Sequence, residues 1–524
     1  MTMRPIDLWP TSSRIVEVGA TNGGLCQRLV AAGYEKYLAV APSKQRCETF
    51  AREQPSLRRH VVAAPSAKVV QQNNADVLIL SGWSVLALAR MRSVRHARFV
   101  ALKLQPTPLC WFALLLGFVQ CLLLRLSRPQ LVHYGTGGAG PWVVAFKVRR
   151  PRPYNGVRRF IPHQLDVCGL LYGLQTAGVR HAVLRWFESL PQIAPGEDLD
   201  LLVDDSALEQ VRSMLDDGPG IQPVDLYSVT GLPGSDFRSM PYFPPYLADE
   251  LLDRAMIHRG LCRVPAPREH FLSLAYHALY HKGTDSGVPA AGGKRPKSGK
   301  SDHDYVEVIN RLAAEIGVTA EATLEMLDNC LDAHGWRPPH DMLIRLSRRN
   351  RWIRSLLRHP GKGAGADDQT AVFLLREEGM RRGGVEKASR LIESYGFQVK
   401  ATHVFDERTT ATVARSLRGG NWGRGPWPVS GGPPVAAIVA HDPSPVTPTR
   451  RDRKRFPFIA NARLLCKEQL RDAFNYGYPE DQHCNVIHSS DNGREAMDYL
   501  RIILPEGASD VLGSAVSQPI SRAA

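Results

Sequence analysis

The chain has 524 residues, which is too long for one hydrophobic core and predicts about three or four domains. Hydrophobic residues make up 44% of it and charged residues 22%, which excludes a disordered or fibrous chain. The net charge of +15 favours an anionic partner, either a nucleotide, a nucleic acid or an acidic membrane surface. The odd number of cysteines, nine, and the absence of a CxxC pair argue against a disulfide framework or a zinc site. We therefore expect a reducing, cytoplasmic location.

Residues 12–150 alternate short β-like runs with helical ones, which predicts a parallel α/β layer. The last two runs flank a Gly-rich stretch and predict an antiparallel hairpin at the edge of the sheet. Within this part, Leu109–Leu126 is apolar but is interrupted by Gln120 and Arg125, and it is short for a membrane span. A buried or interfacial helix is the simpler interpretation, and membrane association is the alternative.

A glycine-rich turn follows the first β run in the segment RIVEVGATNGG and leads into a helical stretch. Such a turn lets the backbone approach a ligand at a helix N-terminus. With Glu17, Gly19 and Gly23, it resembles the first motif of class I SAM-dependent methyltransferases. The resemblance implies a Rossmann-like methyltransferase fold over residues 1–150, with SAM as the cofactor. The family usually has an acidic residue where this chain has Ala41, so the alternative is a degenerate domain that serves architecture.

A second cluster of candidate residues lies in the segment GEDLDLLVDD. Side chains alternate along a strand, so Asp198 and Asp200 are expected on one face, and Asp225 stands in a later β run. Neighbouring carboxylates suit Mg²⁺. The pattern resembles the nucleotidyltransferase superfamily, in which a DxD pair and a later Asp hold two metals for attack on the α-phosphate of an NTP. The alternative is an exposed, acidic strand end.

This second resemblance implies a nucleotidyltransferase-like α+β domain at residues 151–282. The segment LRWFESL (184–190) is predicted to form the strand and helix that precede the DxD pair, although the usual Gly-Ser pair is not evident in it. A flexible basic loop at 283–302 and a helical extension at 303–358 are predicted to follow. A linker at 359–369 then leads to the last domain.

The segment CNVIHSSD near the C-terminal end is followed by an amphipathic helical stretch. It resembles the active-site segment of nucleoside diphosphate kinases, Asn-x-x-His-x-Ser-Asp. GGPPVAAIVA resembles the Gly-Pro-led third strand of that family. The resemblance implies a ferredoxin-like domain over residues 370–506, before a tail at 507–524 that is predicted to be disordered.

The kinase resemblance also implies roles for five residues. His488 would take the γ-phosphate of an NTP as phosphohistidine and pass it to an NDP. Arg471 would clamp phosphate, Asn485 would contact the sugar, and Ser490 would support the histidine. Arg376 stands where the family has a lysine, and Mg²⁺ would bridge the phosphates. The acidic partner of the histidine would fall near Tyr499.

Three hypotheses for function follow. The first is nucleotide-dependent phosphotransfer through His488, from ATP or another NTP to an NDP or an unidentified acceptor. The second is nucleotidyl transfer at the aspartate cluster, with the kinase-like domain as a nucleotide-binding module. The third is a non-catalytic scaffold of degenerate domains at a membrane or polyanion. Positive charge concentrates at 294–300, 345–358 and 450–455, which favours a nucleotide over a nucleic acid as partner. A homo-oligomer is compatible with all three.

Overall fold

The computed structural model describes most of the chain, namely residues 9–20, 23–63, 75–81, 84, 96–104, 130–133, 142–148, 151, 156–194, 196–291, 303–318, 322–358, 369–417, 427–456 and 458–504. The apolar segment 109–126, the basic loop segment 294–300 and the tail 507–524 lie outside these residues. The chain forms two compact units, Met1–Tyr242 with Leu251–His270, and Phe243–Glu250 with Phe271–Ala524. In the described part, no helix combines the length and the apolar character needed to cross a membrane.

The first unit begins with a seven-stranded sheet in the order β3-β2-β1-β4-β5-β7-β6. Its strands are β1 (Ile15–Val18), β2 (Tyr37–Ala41), β3 (Val61–Ala63), β4 (Val77–Ser81), β5 (Phe99–Leu104), β6 (Gln130–His133) and β7 (Trp142–Lys147). Strands β1 to β5 are parallel to one another, whereas β7 runs antiparallel to both β5 and β6. This order, with its reversed edge hairpin, is the Rossmann-like methyltransferase arrangement that the glycine-rich turn predicts.

Helix α1 (Gly24–Ala31) follows β1 in the chain, and helix α2 (Lys44–Glu53) follows β2. The strands β1, β2 and β4 are fully buried, as expected of a parallel sheet with both faces covered. Alternate residues therefore enter two separate cores. Ile15, with Leu25 and Leu29 of α1, lies in one core, and Val16 lies in the other. Glu17 shares the face of Ile15 because side chains two apart on a strand point the same way.

A four-stranded sheet in the order β8-β11-β10-β9 follows within the first unit. Its strands are β8 (Arg158–Ile161), β9 (His181–Val183), β10 (Leu199–Val203) and β11 (Gln222–Ser228). Strands β10 and β11 are parallel, and both outer pairs are antiparallel. Helices α3 (Val167–Thr176) and α4 (Leu208–Asp216) pack against one face of the sheet, where Leu201, Val203, Val224 and Leu226 form the core.

The sequence prediction for residues 184–190 is wrong, because this segment forms neither a strand nor a helix. Trp186 has a φ of +56°, a left-handed conformation that interrupts both kinds of regular structure. The segment is instead an irregular connection between β9 and β10. The first unit also contains a short antiparallel hairpin of β12 (Met256–His258) and β13 (Cys262–Val264).

Two helices, α5 (Pro245–Asp253) and α6 (Pro267–Tyr276), contribute residues to both units. Helix α6 continues as a π-helix, His277–Lys282. The predicted helical extension follows in the second unit as α7 (Tyr305–Glu315), α8 (Leu324–Ala333), α9 (His340–Ser347) and α10 (Arg351–Arg358). The limits of the extension, and the other predicted domain boundaries, stay predictions.

The remaining part of the second unit is a four-stranded antiparallel sheet in the order β15-β16-β14-β17. Its elements along the chain are β14 (Thr370–Arg376), α11 (Glu377–Arg381), α12 (Gly384–Ser394), β15 (Gln398–Val404), α13 (Glu407–Ser416), β16 (Pro434–His441), α14 (Arg450–Arg455), α15 (Cys466–Asn475), β17 (Ile487–Ser489) and α16 (Gly493–Ile503). A helix lies between every two successive strands, including α13 between β15 and β16, and α16 follows the last strand. Buried side chains of the sheet enter two cores, one with α12 and α15 and the other with α13 and α16.

Candidate functional sites

The carboxylate of Glu17, predicted to belong to a SAM-binding loop, points into the interior of the first sheet. It is fully buried, and its Oε1 accepts hydrogen bonds from Ser81 Oγ (2.8 Å) and from Lys103 Nζ (2.9 Å). The hydroxyl of Tyr37 donates to Oε2. Lys103 is itself only 3% exposed. Glu17 is thus half of a buried ion pair that ties β1 to β5.

The glycines of the turn allow chain segments to approach closely. Gly19 has a φ of +79°, and a Cβ there would lie 2.6 Å from the Ser81 carbonyl oxygen. A Cβ on Gly23 would lie 2.9 Å from Gln54 Cγ. Between these two glycines, residues 21–22 lie outside the described residues. The position of the expected ribose-binding acid is occupied by Ala41, whose side chain is fully buried.

The three predicted metal ligands of the first unit do come together. Asp200 on β10 and Asp225 on β11 are direct partners in the parallel ladder, and Asp198 precedes β10. One oxygen of each carboxylate lies within 4.8 Å of the other two, and no other such group of acidic, histidine or cysteine residues occurs in the described part of the chain. The side chain of Asp200 is 2% exposed, and those of Asp198 and Asp225 are 28% and 19% exposed. We call these three residues the aspartate cluster.

Burial and mutual repulsion make this cluster costly to ionise. Burial raises the pKa of Asp200 to about 8, and the charges of Asp198 and Asp225 add to this effect against the opposing charge of Arg185. Burial also raises the pKa of Asp198, with the charge of Asp225 as the next cause. A group of carboxylates in this condition is stabilised by a nearby cation.

Two arginines supply positive charge to the aspartate cluster. Arg158 on β8 lies opposite Asp225 in the strand register, and its Nε and Nη2 donate to the two Asp225 oxygens at 2.8 and 2.9 Å. The same Nη2 also donates to Asp198 Oδ2. Arg185 Nη2 lies 2.5 Å from Asp200 Oδ1, and Arg185 Nη1 donates to the Tyr242 hydroxyl at 2.8 Å. The Arg185 contact lacks hydrogen-bond geometry, since Asp200 Oδ1 is buried without a hydrogen-bond donor.

The sequence analysis missed both arginines. Arg158 precedes its partner Asp198 by 40 residues, so no local spacing connects the two. Arg185 lies in the segment 184–190, for which the predicted regular structure was wrong. The pairing of β8 with β11 is the only feature that brings Arg158 to the cluster, and a single sequence contains no direct signal for that pairing.

In the second unit, His488 lies on β17 opposite Leu374 of β14. Its Nε2 is 3.1 Å from the Tyr499 hydroxyl on α16, and that hydroxyl donates to Glu495 Oε1 at 3.0 Å. Glu495 is 4% exposed. A tyrosine therefore links the half-buried imidazole to a buried carboxylate. The sequence analysis placed an acidic partner of His488 near Tyr499. Tyr499 itself contacts His488, and the acid, Glu495, lies one helical turn earlier on α16.

Two of the predicted phosphate- or nucleotide-binding residues donate hydrogen bonds to the segment that leads to His488. Arg376, 1% exposed at the end of β14, donates from its backbone N–H to the Val486 carbonyl (2.9 Å) and from Nε to the Gly432 carbonyl (2.7 Å). Arg471 on α15 donates from Nε to the Ile487 carbonyl at 3.0 Å. Burial, and to a lesser extent the charge of Arg471, lower the pKa of Arg376 to about 10.

The other two predicted residues of this site, Asn485 and Ser490, differ in their hydrogen bonding. Asn485 Oδ1 is buried and has no hydrogen-bond partner, three residues before His488. Ser490 is fully buried and accepts a hydrogen bond from the Val372 N–H at 3.1 Å. Its own N–H donates to the Val372 carbonyl at 2.9 Å. Ser490 thus connects the end of β17 to β14 through both its hydroxyl and its backbone N–H.

Comparison with known proteins adds little beyond the first sheet. No protein-family model and no curated protein matches the chain. Solved structures that resemble it include a SAM-dependent O-methyltransferase from Thermotoga maritima, with 13% identity over 27% of this chain and 62% of that one, at a TM-score of 0.21. A putative tRNA (m1A22) methyltransferase of Streptococcus pneumoniae has 11% identity over 29% of this chain and 73% of its own, at a TM-score of 0.20. Fibrillarin of Aeropyrum pernix, solved with bound SAM, has 10% identity over 28% and 71%, at a TM-score of 0.21. The assignment of the N-terminal fold rests on the strand order, and these similarities carry no argument about activity.

Proposed function

We propose that the aspartate cluster binds a divalent cation, Mg²⁺, and that the first unit uses it in nucleotidyl transfer from a nucleoside triphosphate. The observation that carries the proposal is the convergence of three carboxylates from two neighbouring parallel strands, with one oxygen of each inside 4.8 Å. This function takes precedence over phosphotransfer at His488 because its three ligands form one cluster.

The donor set fits a magnesium ion. Carboxylate oxygens are the ligands that Mg²⁺ prefers. The Oδ1 atom of Asp200 is buried, and it has an ion-pair contact with Arg185 but no hydrogen bond, so a metal ion could provide the further stabilisation that a buried carboxylate needs. A metal held by these three residues would polarise a phosphoryl oxygen. Arg158 and Arg185 place two guanidinium groups beside it, and guanidinium groups pair well with phosphate oxygens.

Metal binding and transfer are testable separately. We expect calorimetry of the full chain with Mn²⁺ to show binding that Asp200→Asn with Asp225→Asn abolishes. Asp204→Asn is the matched control, because Asp204 directly follows β10 but pairs with Arg180 instead. An NTP labelled at the α-phosphate should then transfer label to an acceptor in a cell extract with the wild type and the control. Absence of Mn²⁺ binding in the wild type would overturn the proposal.

A second candidate function is phosphotransfer through His488, supported by the contact of His488 with Tyr499 and Glu495 and by the nearby Arg376 and Arg471. An imidazole nitrogen would attack the γ-phosphorus of an NTP, the bond from phosphorus to the bridging oxygen would break, and the NDP would leave. A second nucleotide would then take the phosphoryl group from the histidine. Glu495, through the Tyr499 hydroxyl, would hold the imidazole in one orientation.

The position of the label, at the α-phosphate or at the γ-phosphate, distinguishes the two functions. Incubation with γ-labelled ATP and Mg²⁺ should give an acid-labile phosphoprotein in the wild type and in His483→Gln, and none in His488→Ala. His483 is a suitable control because it precedes the same segment, and its Nε2 bonds the Tyr478 carbonyl away from His488. If no γ label is retained by the wild type, phosphotransfer at His488 is excluded, whereas the metal proposal is unaffected.

A further inference from the structure

Arg158 contacts carboxylate oxygens that a cation bound by the aspartate cluster would use. Its Nη2 contacts both Asp198 and Asp225, and its Nε takes the remaining Asp225 oxygen. Both oxygens of Asp225 and one of Asp198 are therefore engaged by a single guanidinium group. A divalent cation coordinated by the same oxygens would stand close to this positively charged group, and the repulsion between the two charges favours movement of the guanidinium group away from the cluster.

The two arginines of the cluster differ in their exposure to solvent and in their position in the sheet. Arg185 is 9% exposed, and Tyr242 both accepts its hydrogen bond (2.8 Å) and provides a ring 5.6 Å from the guanidinium carbon. Arg158 is 27% exposed and lies on β8, an edge strand of the sheet. Solvent on that side gives the long side chain of Arg158 room to move. We expect Arg185 to stay in place when a cation binds and Arg158 to leave.

We propose that Arg158 is a substrate-binding residue that exchanges partners, leaving the carboxylates of Asp198 and Asp225 for the phosphate oxygens of a triphosphate when metal and nucleotide bind together. This inference rests on the proposed metal site. Metal alone must displace an ion pair, and it leaves a guanidinium group without its carboxylate partners. Metal with a polyphosphate provides that group with new anionic partners, so the two ligands should bind cooperatively.

The test is a Mn²⁺ titration of the full chain with and without the α,β-methylene analogue of ATP. In the wild type, we expect the analogue to increase Mn²⁺ affinity about tenfold, within the usual range of coupling between ligands. In Arg158→Gln, Mn²⁺ alone should bind about tenfold more tightly than in the wild type, and the analogue should add little. Arg180→Gln is the matched control, because Arg180 pairs with Asp204 and Asp253 outside the cluster.

The outcomes separate the two proposals. Equal Mn²⁺ affinity of wild type and Arg158→Gln, with the same gain from the analogue, would overturn the exchange and leave the metal site standing. Absence of Mn²⁺ binding in both proteins would overturn the metal site as well. If circular dichroism shows that Arg158→Gln is unfolded, Arg158→Lys replaces it. Lysine keeps the charge without the bidentate geometry. Arg158→Lys should therefore bind Mn²⁺ alone with an affinity between that of the wild type and the value expected of Arg158→Gln, and wild-type affinity would count against the exchange.

Discussion

Replacing Lys103 with methionine tests whether Glu17 is a structural residue. Lys103 and Glu17 are 3% and 0% exposed and lie 2.9 Å apart. Removing one partner of a buried pair leaves an uncompensated charge and costs about 3–5 kcal/mol. The Tyr37 and Ser81 hydroxyls still donate to Glu17, so we expect a loss near the lower end, about 3 kcal/mol. The double variant Lys103→Met with Glu17→Gln removes both charges and should lose about half as much, a strongly non-additive result.

The measurement should be local, because a chain with two compact units does not unfold as a single cooperative system. Hydrogen exchange of the backbone amides in β1, β4 and β5, followed by mass spectrometry, reports the stability of this sheet alone. Lys147→Met, at an exposed position on β7, is the control and should leave exchange unchanged. Amide exchange in Lys103→Met as slow as in the wild type would refute the reasoning. A double variant no more stable than Lys103→Met alone would refute it as well.

Three further predictions concern other parts of the chain. Burial lowers the pKa of His163 to about 4, so the unfolded chain takes up a proton near pH 6.5 that the folded chain accepts only near pH 4. The stability of the first unit should therefore fall by up to about 3 kcal/mol as the pH drops through this window, and His163→Gln should flatten the fall in thermal unfolding. Asn350 Nδ2 donates to the Leu279 and Tyr280 carbonyls of the π-helix, so Asn350→Ala should destabilise the second unit by about 2 kcal/mol in hydrogen exchange. Tyr499→Phe should lower γ-phosphate labelling of the chain about tenfold, the value of one hydrogen bond, and unchanged labelling would exclude a role for the Glu495 contact.

The elements that sequence patterns predicted best are those whose pattern has a local cause. Strands β1, β2 and β4 are mostly apolar because both faces of a parallel sheet are covered, and this property can be read in each strand separately. The expectation that Asp198 and Asp200 share a face follows from strand alternation alone, and both belong to the aspartate cluster. The kinase resemblance placed an acidic partner of His488 near Tyr499, whereas Tyr499 itself contacts the histidine and the acid is Glu495.

The features that could not be predicted depend on pairing between distant segments. Arg158 reaches Asp225 because β8 pairs with β11 in one register, which no short stretch of sequence specifies. Glu17 has the residue type and position of a cofactor-loop acid, and only the contact with Lys103 on β5 identifies it as a buried pair. The prediction for 184–190 came from the resemblance to nucleotidyltransferases, and the left-handed backbone at Trp186 interrupts regular structure there.

The direct pairing of Asp200 with Asp225 has a consequence for how such a cluster evolves. The chain between β10 and β11, which includes α4, can gain or lose residues without moving either carboxylate, since only the strand register fixes their separation. A slip of one residue in that register would instead turn Asp225 to the face occupied by the helices. Distant relatives of this protein are therefore expected to differ in the length of this crossover while keeping both acids. A search that allows a variable gap between two strand acids should recover relatives that a fixed-spacing pattern would miss.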